Sequence, residues 1–421
     1  MAVPSRALSL WISSLAVIAL ACGGAPDGAE TPTTEAQSPT TVAPAEATAT
    51  APATEVTASA TATPSAPSLP ALDRSKHTVP LEEVYFDTFG FGAIPLSEVA
   101  EGTITRLRNA IPPFYEGVYD PAAEGDWLEA GDLVLGYVAP SGQAYAYPHK
   151  ILNFHELVND EIDGIPLLVS YCPLCGSGVV FDRRLGARTL RFGNTSALYG
   201  SDLVMFDWET NSYWWQVAGE AIVGTLSGET LEVLASTTAQ WSTWKSLHPE
   251  TLVLTRNTGF NRNYSVDPFA DYPLQLSFGG PPFPVDPAAF NDGRLAPAER
   301  VLGVEFGGES VTYSPMRLGD IALNDEVGGE RIVIFSRSDG TAAAYFATRD
   351  GRALTFEYDG GAYLDAGTAS AWDFGGRAVS GELSGRSLEP APSRSTFWFA
   401  YVAVFPETRV AVGNEEPSLA P

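Results

Sequence analysis

One text is written twice in this chain, and that repetition constrains the fold more than any other feature. Val158-Asn-Asp-Glu-Ile-Asp-Gly-Ile-Pro-Leu-Leu-Val169 aligns without a gap on Leu323-Asn-Asp-Glu-Val-Gly-Gly-Glu-Arg-Ile-Val-Ile334. Shorter pieces recur in the same order: Val134-Leu-Gly136 with Val301-Leu-Gly303, the stretch from Gly219 to Glu232 with that from Gly376 to Glu389, and His248-Pro-Glu-Thr251 with Phe405-Pro-Glu-Thr408. Ordered self-similarity of this kind predicts a tandem of related modules. We place the first over 127–255 and the second over 297–412, joined by a Pro- and aromatic-rich connector over 256–296 that reads as ordered but irregular. A tail follows over 413–421.

Within each module the runs are short, apolar and rich in Val, Thr, Tyr and Phe, with turn residues between them, and 40 Gly punctuate the chain. That pattern predicts a mainly β (α+β) fold of two β-rich modules with short helices. Asp132–Val138 and Gln143–Tyr147 read as a hairpin, Lys150–Val158 as a helical stripe, and Leu167–Tyr171 and Val179–Phe181 as buried strands. Ser242–His248 reads as a short helix ended by Pro249. Upstream, 73–126 reads as an N-terminal extension packed on the body, with a strand over Leu81–Phe86 and a helix over Pro95–Glu101 capped by Ser97.

The repeat also serves as a control inside one chain. Scaffold residues recur between the modules, and reactive ones do not. Cys172 and Cys175 are matched by Arg337 and Gly340, His155 by Asp320, His248 by Phe405, and His149 by Met316. The first module, with its Cys-Pro-Leu-Cys loop, is therefore the candidate active half, and the second, Cys-free module its structural partner. Arg337 at a matched position predicts a surface loop, and the turn-rich flanks predict at least one sulfur near solvent.

A Cys-x-x-Cys pair supports several chemistries. A redox-active dithiol would use Cys172 as the exchanging thiol, Cys175 as the resolving one and His155 as a proton acceptor, with a thiol or disulfide protein as partner. A structural disulfide suits an oxidising compartment, although closing so short a loop removes little chain entropy. Zinc or copper could be held by Cys172 and Cys175 with His149, His155 or His248. Cysteine-nucleophile hydrolysis, with a histidine as base, is a fourth reading. Each histidine has a structural alternative, on a helix face or at a helix end. The Gly176-Ser-Gly178 turn running into a strand argues against a thioredoxin fold, in which the pair opens a helix.

The N-terminus predicts an address. Arg6 precedes the mostly apolar run Ala7–Leu20, which is shorter than the roughly 20 residues a bilayer span needs, and Ala19-Leu-Ala-Cys22 follows it. Residues 1–22 are similar to a bacterial lipoprotein signal, with Cys22 as the lipid-attachment site. The Ala/Thr/Pro-rich stretch 23–72 cannot bury enough apolar area to fold, so it reads as a disordered tether with a span of about 40 Å. The body is thus expected to be extracytoplasmic and lipid-anchored, on the periplasmic or cell-surface side. A formal charge of −27 excludes nucleic acid as a natural partner.

With these residues in view, the first module resembles the bacterial DUF3179 family. The matching text comprises Tyr145-Ala-Tyr-Pro148, His155-Glu-Leu-Val-Asn-Asp160, Tyr171-Cys-Pro-Leu-Cys-Gly-Ser-Gly178, Leu198-Tyr-Gly-Ser-Asp-Leu-Val-Met205, Gln216 and His248-Pro249. The resemblance covers roughly 80–410 and implies a working role for both cysteines, with no established reaction attached. Two positions depart from the family text: Ser196 stands where a Gly is common, and Trp208 where a basic residue is usual.

Overall fold

The computed structural model describes residues 69–89, 92–281 and 283–411. The signal over 1–22 with its Cys22, the tether up to residue 68 and the tail over 413–421 lie outside the described residues. The fold is mainly β, as expected, with short helices set between sheets. Among the described residues no helix is long and apolar enough to cross a membrane.

Eight strands position the cysteine loop: β1 (Leu157–Ile162), β2 (Ile165–Cys172), β3 (Ser177–Asp182), β4 (Phe192–Tyr199), β5 (Asp202–Asp207), β6 (Tyr213–Trp215), β7 (Arg300–Phe306) and β8 (Arg394–Phe397). One sheet crosses both halves in the order Arg409–Ala411, Glu309–Tyr313, β7, β8, β3, β2, β1. The seam is the antiparallel pairing of Ser395 on β8 with Gly178 on β3. Nearly every residue of β2 and β3 is buried. Both faces are covered, which is why their text is a continuous apolar run rather than an alternation.

A second sheet runs Glu220–Val223, β6, β5, β4, Val84–Asp87, Ala93–Pro95. The N-terminal extension thus adds two strands to the first half, with Val84 opposite Tyr199 and Phe86 opposite Ala197. Leu69 and Leu72 pack on the same core. The β4–β5 ladder shifts register between Asn194 and Ala197, and Ser196 in that bulge has φ +61°. This left-handed conformation suits a glycine. Here Ser196 is held by its hydroxyl, which donates to Leu107 O at 2.8 Å, and by its amide, which donates to Asn194 Oδ1 at 2.6 Å.

The order of elements after Leu133 recurs after Arg300: a hairpin, a short helix, a long hairpin with a third strand, a two-residue ribbon, a four-strand meander, then two strands in the first half (Glu232–Leu234 and Thr237–Gln240) against one in the second (Arg394–Phe397), a helix and a short strand. Two local expectations are corrected. Pro95 does not start a helix; it pairs with Tyr85 in the sheet, and the helix runs over Glu101–Leu107, burying Ile104 and Leu107. The connector carries helices over Tyr272–Gly279 and Pro287–Phe290, the second with Asp286 capping Ala288 N at 2.9 Å.

Candidate functional site

Cys172 is the last paired residue of β2, opposite Ser177 on β3. Pro173, Leu174, Cys175 and Gly176 form the hairpin loop, and Gly176 turns it at φ +56°. A Cβ at Gly176 would stand 2.8 Å from the Phe397 ring, so only glycine fits against the second half. Three contacts from that half hold the loop. Phe397 N–H donates to Cys175 O at 2.8 Å, the Thr396 hydroxyl to the same carbonyl at 3.1 Å, and Arg300 Nη1 to Gly176 O at 2.7 Å.

This packing overturns the expectation of a sulfur near solvent. Cys172 is 1% exposed and Cys175 0%. Both lie in a core with Phe181, Trp214, Tyr272 and Phe397, and both are free thiols. The matching Arg337 is half-exposed and pairs with Asp339 at 3.3 Å. In the first half the loop is instead covered by β8 and the helix over Tyr272–Gly279.

The third member of the site is Asp202, at the start of β5 and 1% exposed. Ligating atoms of Cys172, Cys175 and Asp202 lie within 4.8 Å of one another. Asp202 Oδ2 accepts Val217 N–H at 2.8 Å, and the Ser177 hydroxyl lies 3.3 Å from Oδ1. Ser177 also donates to Gln216 Oε1 at 2.6 Å, while Gln216 Nε2 donates to Ser170 Oγ at 2.7 Å. These side chains are all buried, so the chain of bonds fixes the carboxylate against the hairpin. The Cys175 thiol faces Ser201 O at 3.4 Å.

The electrostatics are those of a buried acid cluster. Burial raises the Asp202 carboxyl to about 6, opposed by the Val217 amide and by hydrogen bonds from both thiols. Burial pushes the Cys172 thiol up and the Cys175 thiol well up, and the Asp202 charge adds to both. Glu156 is raised to about 8 by burial, with Asp202 and Asp87 contributing, against the Asn194 amide that donates to it. Desolvated like charges favour protonated forms. Two buried polar atoms beside the cluster have no hydrogen-bond partner, Tyr272 Oη and Ser201 Oγ.

Two thiolates and a carboxylate are a donor set that zinc accepts, with Zn–S near 2.3 Å, which places two tetrahedral sulfurs about 3.8 Å apart. Donor atoms that all lie within 4.8 Å of one another are compatible with that requirement. A disulfide needs about 2.05 Å between sulfurs, and these two are not that close.

The histidines do not join the cysteines. His155 ends the helix over His149–His155, and its ring contacts Pro112 O at 2.7 Å and Tyr264 Oη at 2.6 Å. Burial lowers it to about 4. His149 stacks on Tyr171 at 4.2 Å between ring centroids, with Nε2 unpartnered. Burial holds it well below its ordinary value, and the Arg300 charge adds to that. His248 stacks on Trp244. Sequence reasoning singled out the cysteines but gave no role to Asp202, Ser177, Gln216 or Arg300. Ser177, Asp202 and Gln216 did stand in the family-like text, which was the available signal.

A family model described as "Protein of unknown function (DUF3179)" matches residues 108–408. The chain belongs to the DUF3179 family. No curated protein and no solved structure matches it. For this DUF3179 chain the matched region begins just before Phe114, whose backbone pairs beside β1, and takes in the cysteine hairpin, Asp202 and the β8 cover.

Proposed function

We propose that this DUF3179 protein is an extracytoplasmic, lipid-tethered protein built around one buried divalent-metal centre. Cys172, Cys175 and Asp202 are its ligands. One observation carries the reading: two thiols from one hairpin and a carboxylate from a strand of the second sheet converge within 4.8 Å, each 0–1% exposed. Burial raises all three pKa values and the Asp202 charge raises both thiols further; a dication would offset that cost by coordination and displace the thiol protons. The sulfur–oxygen mix suits zinc better than copper(I), which selects softer ligands. Asp202 thereby takes the place that the sequence reading offered to His149, His155 or His248.

The recurring element order supports reading the body as a duplication, in which the second module lost or never had the centre and supplies β8 as its cover. The Ala19-Leu-Ala-Cys22 text supports a lipid anchor at Cys22, and the acidic charge supports no role with nucleic acid.

Thiol–disulfide chemistry is a second reading, favoured by the hydrogen bond between the two thiols. It needs the hairpin to open, because an attacking disulfide cannot approach a sulfur that is 0–1% exposed. Metal analysis of protein purified without chelator separates the readings. About one equivalent of zinc per chain, and a cobalt-substituted form with a sulfur-to-metal charge-transfer band, support the centre. Metal-free protein that cycles one disulfide reversibly near −120 to −270 mV supports exchange.

A further inference from the structure

The second half shows a filled version of something the first half leaves open. Asp160 and Asp325 occupy the same place in the repeated Asn-Asp-Glu text. Each carboxylate accepts the amide of the following glutamate, at 2.9 and 2.8 Å, and the hydroxyl of a tyrosine from the preceding hairpin, Tyr147 at 3.2 Å and Tyr313 at 2.7 Å. In the second half Arg409 closes the site, with Nη2 2.8 Å from Asp325 Oδ1 and 3.9 Å from Glu309 Oε1. Arg409 pairs in parallel with Val311; at the matching place in the first half, Leu252 pairs in parallel with Tyr145.

Where Arg409 would reach, the first half has a cleft of about 480 Å³ with Leu252, Asp160, Glu161 and Tyr145 in its lining. That volume lies within the range of small-ligand sites. Glu116 and Glu161 are exposed at its mouth. Tyr115 and Tyr119 complete an aromatic wall, with the Tyr119 and Tyr145 rings 5.0 Å apart. The Tyr119 hydroxyl bonds Asp160, and Gly117 is fitted so closely over the pair that a Cβ there would meet both. The local guanidinium, Arg183, does not replace Arg409, because all three of its nitrogens donate to backbone carbonyls, of Leu167, Leu190 and Asp160. Three carboxylates and three tyrosine rings therefore line the cleft with Arg183 committed to carbonyls, while Arg191 lies 5.7 Å over the Tyr115 ring and leaves the Tyr119 and Tyr145 rings to a ligand.

We infer that this cleft binds a guanidinium or primary ammonium group carried on an apolar stem, which does for Asp160 what Arg409 does for Asp325. Carboxylates recognise the cation by charge-assisted hydrogen bonds, and the tyrosine faces recognise it by cation–π contact. The group could come from a free amine or from an arginine side chain of a peptide. The site is separate from the cysteine centre and does not depend on it.

Calorimetric titration of the full chain at low ionic strength, with agmatine and with a capped Gly-Arg-Gly peptide, tests the inference. A capped Gly-citrulline-Gly peptide is the neutral isostere. Saturable binding of either cation, with the citrulline peptide at least tenfold weaker, is the expected result; preference for agmatine assigns a free amine, and preference for the peptide an arginine side chain. Leu252→Arg should weaken binding tenfold or more by filling the cleft from within, at unchanged thermal midpoint. Glu161→Gln, an exposed change that keeps the fold, should weaken it about threefold and serves if Leu252→Arg fails to fold. No saturable binding of either cation, equal binding of the citrulline peptide, or full binding by Leu252→Arg or Glu161→Gln would overturn it.

Discussion

The amide of Phe397 donates to the carbonyl of Cys175 at 2.8 Å, so a strand of the second half closes the cysteine loop of the first. The loop cannot be described from the first half alone. Its turn packs against β8 at Phe397, and its burial is shared between β8 and the helix over Tyr272–Gly279.

Phe397→Ala removes the ring that covers Gly176 and should destabilise the protein by about 3–5 kcal/mol, the usual cost of emptying a buried aromatic site. In metal-free protein the same change should speed labelling of Cys172 and Cys175 by a thiol reagent. Urea unfolding and labelling rates check both. An unchanged labelling rate would show that β8 does not control access to the sulfurs.

Gly176→Ala combines a left-handed φ of +56° with a methyl 2.8 Å from the Phe397 ring. We expect a loss of about 1–3 kcal/mol from backbone strain, with part of it recovered when Phe397 is cut back to Leu in the same chain. A double-mutant cycle in urea reads the coupling.

Asp202→Asn keeps an acceptor for the Val217 amide but removes the carboxylate charge. Affinity for zinc should fall by more than about 100-fold, beyond the roughly 10–100-fold that loss of a bond supporting a ligand gives. A chelator should lower the thermal midpoint of the native protein and leave that of Asp202→Asn nearly unmoved. If the two midpoints respond alike, Asp202 is not a ligand.

His155 gives a pH-dependence that does not involve the cysteines. Burial depresses its pKa from 6.5 to about 4, so the folded protein favours the neutral ring. Its contribution is fully present above pH 6.5 and is lost as pH falls through about 4, amounting to about 3 kcal/mol by linkage. Unfolding free energies at several pH values, compared between the native chain and His155→Gln, should diverge above pH 6.5 and converge toward pH 4. Parallel curves would reject the assignment.

Much of the fold was legible because it is written locally. The hairpin over 133–148, the buried strands β2 and β3 and the helix over Trp241–Leu247 follow from apolar spacing and turn residues within a few positions. The helix misplaced over Pro95–Glu101 failed for a tertiary reason: Pro95 is claimed by Tyr85 across the sheet, which no local pattern records. The exposure of the cysteine loop failed likewise. Arg337 correctly reported a half-exposed loop in its own half, but Cys172 is buried in a core that includes the distant Phe397 and Tyr272, which the repeat comparison does not touch.

The sequence by itself determined a mainly β body and two cysteines at a hairpin tip, because side-chain periodicity and short-range turn chemistry act over neighbouring residues. Only the tertiary structure decided that Asp202 meets those cysteines, that the histidines do not, and that Leu252 leaves open what Arg409 fills. Those outcomes depend on which strands pack together, and packing is decided by the sum of distant contacts rather than by any one stretch of text.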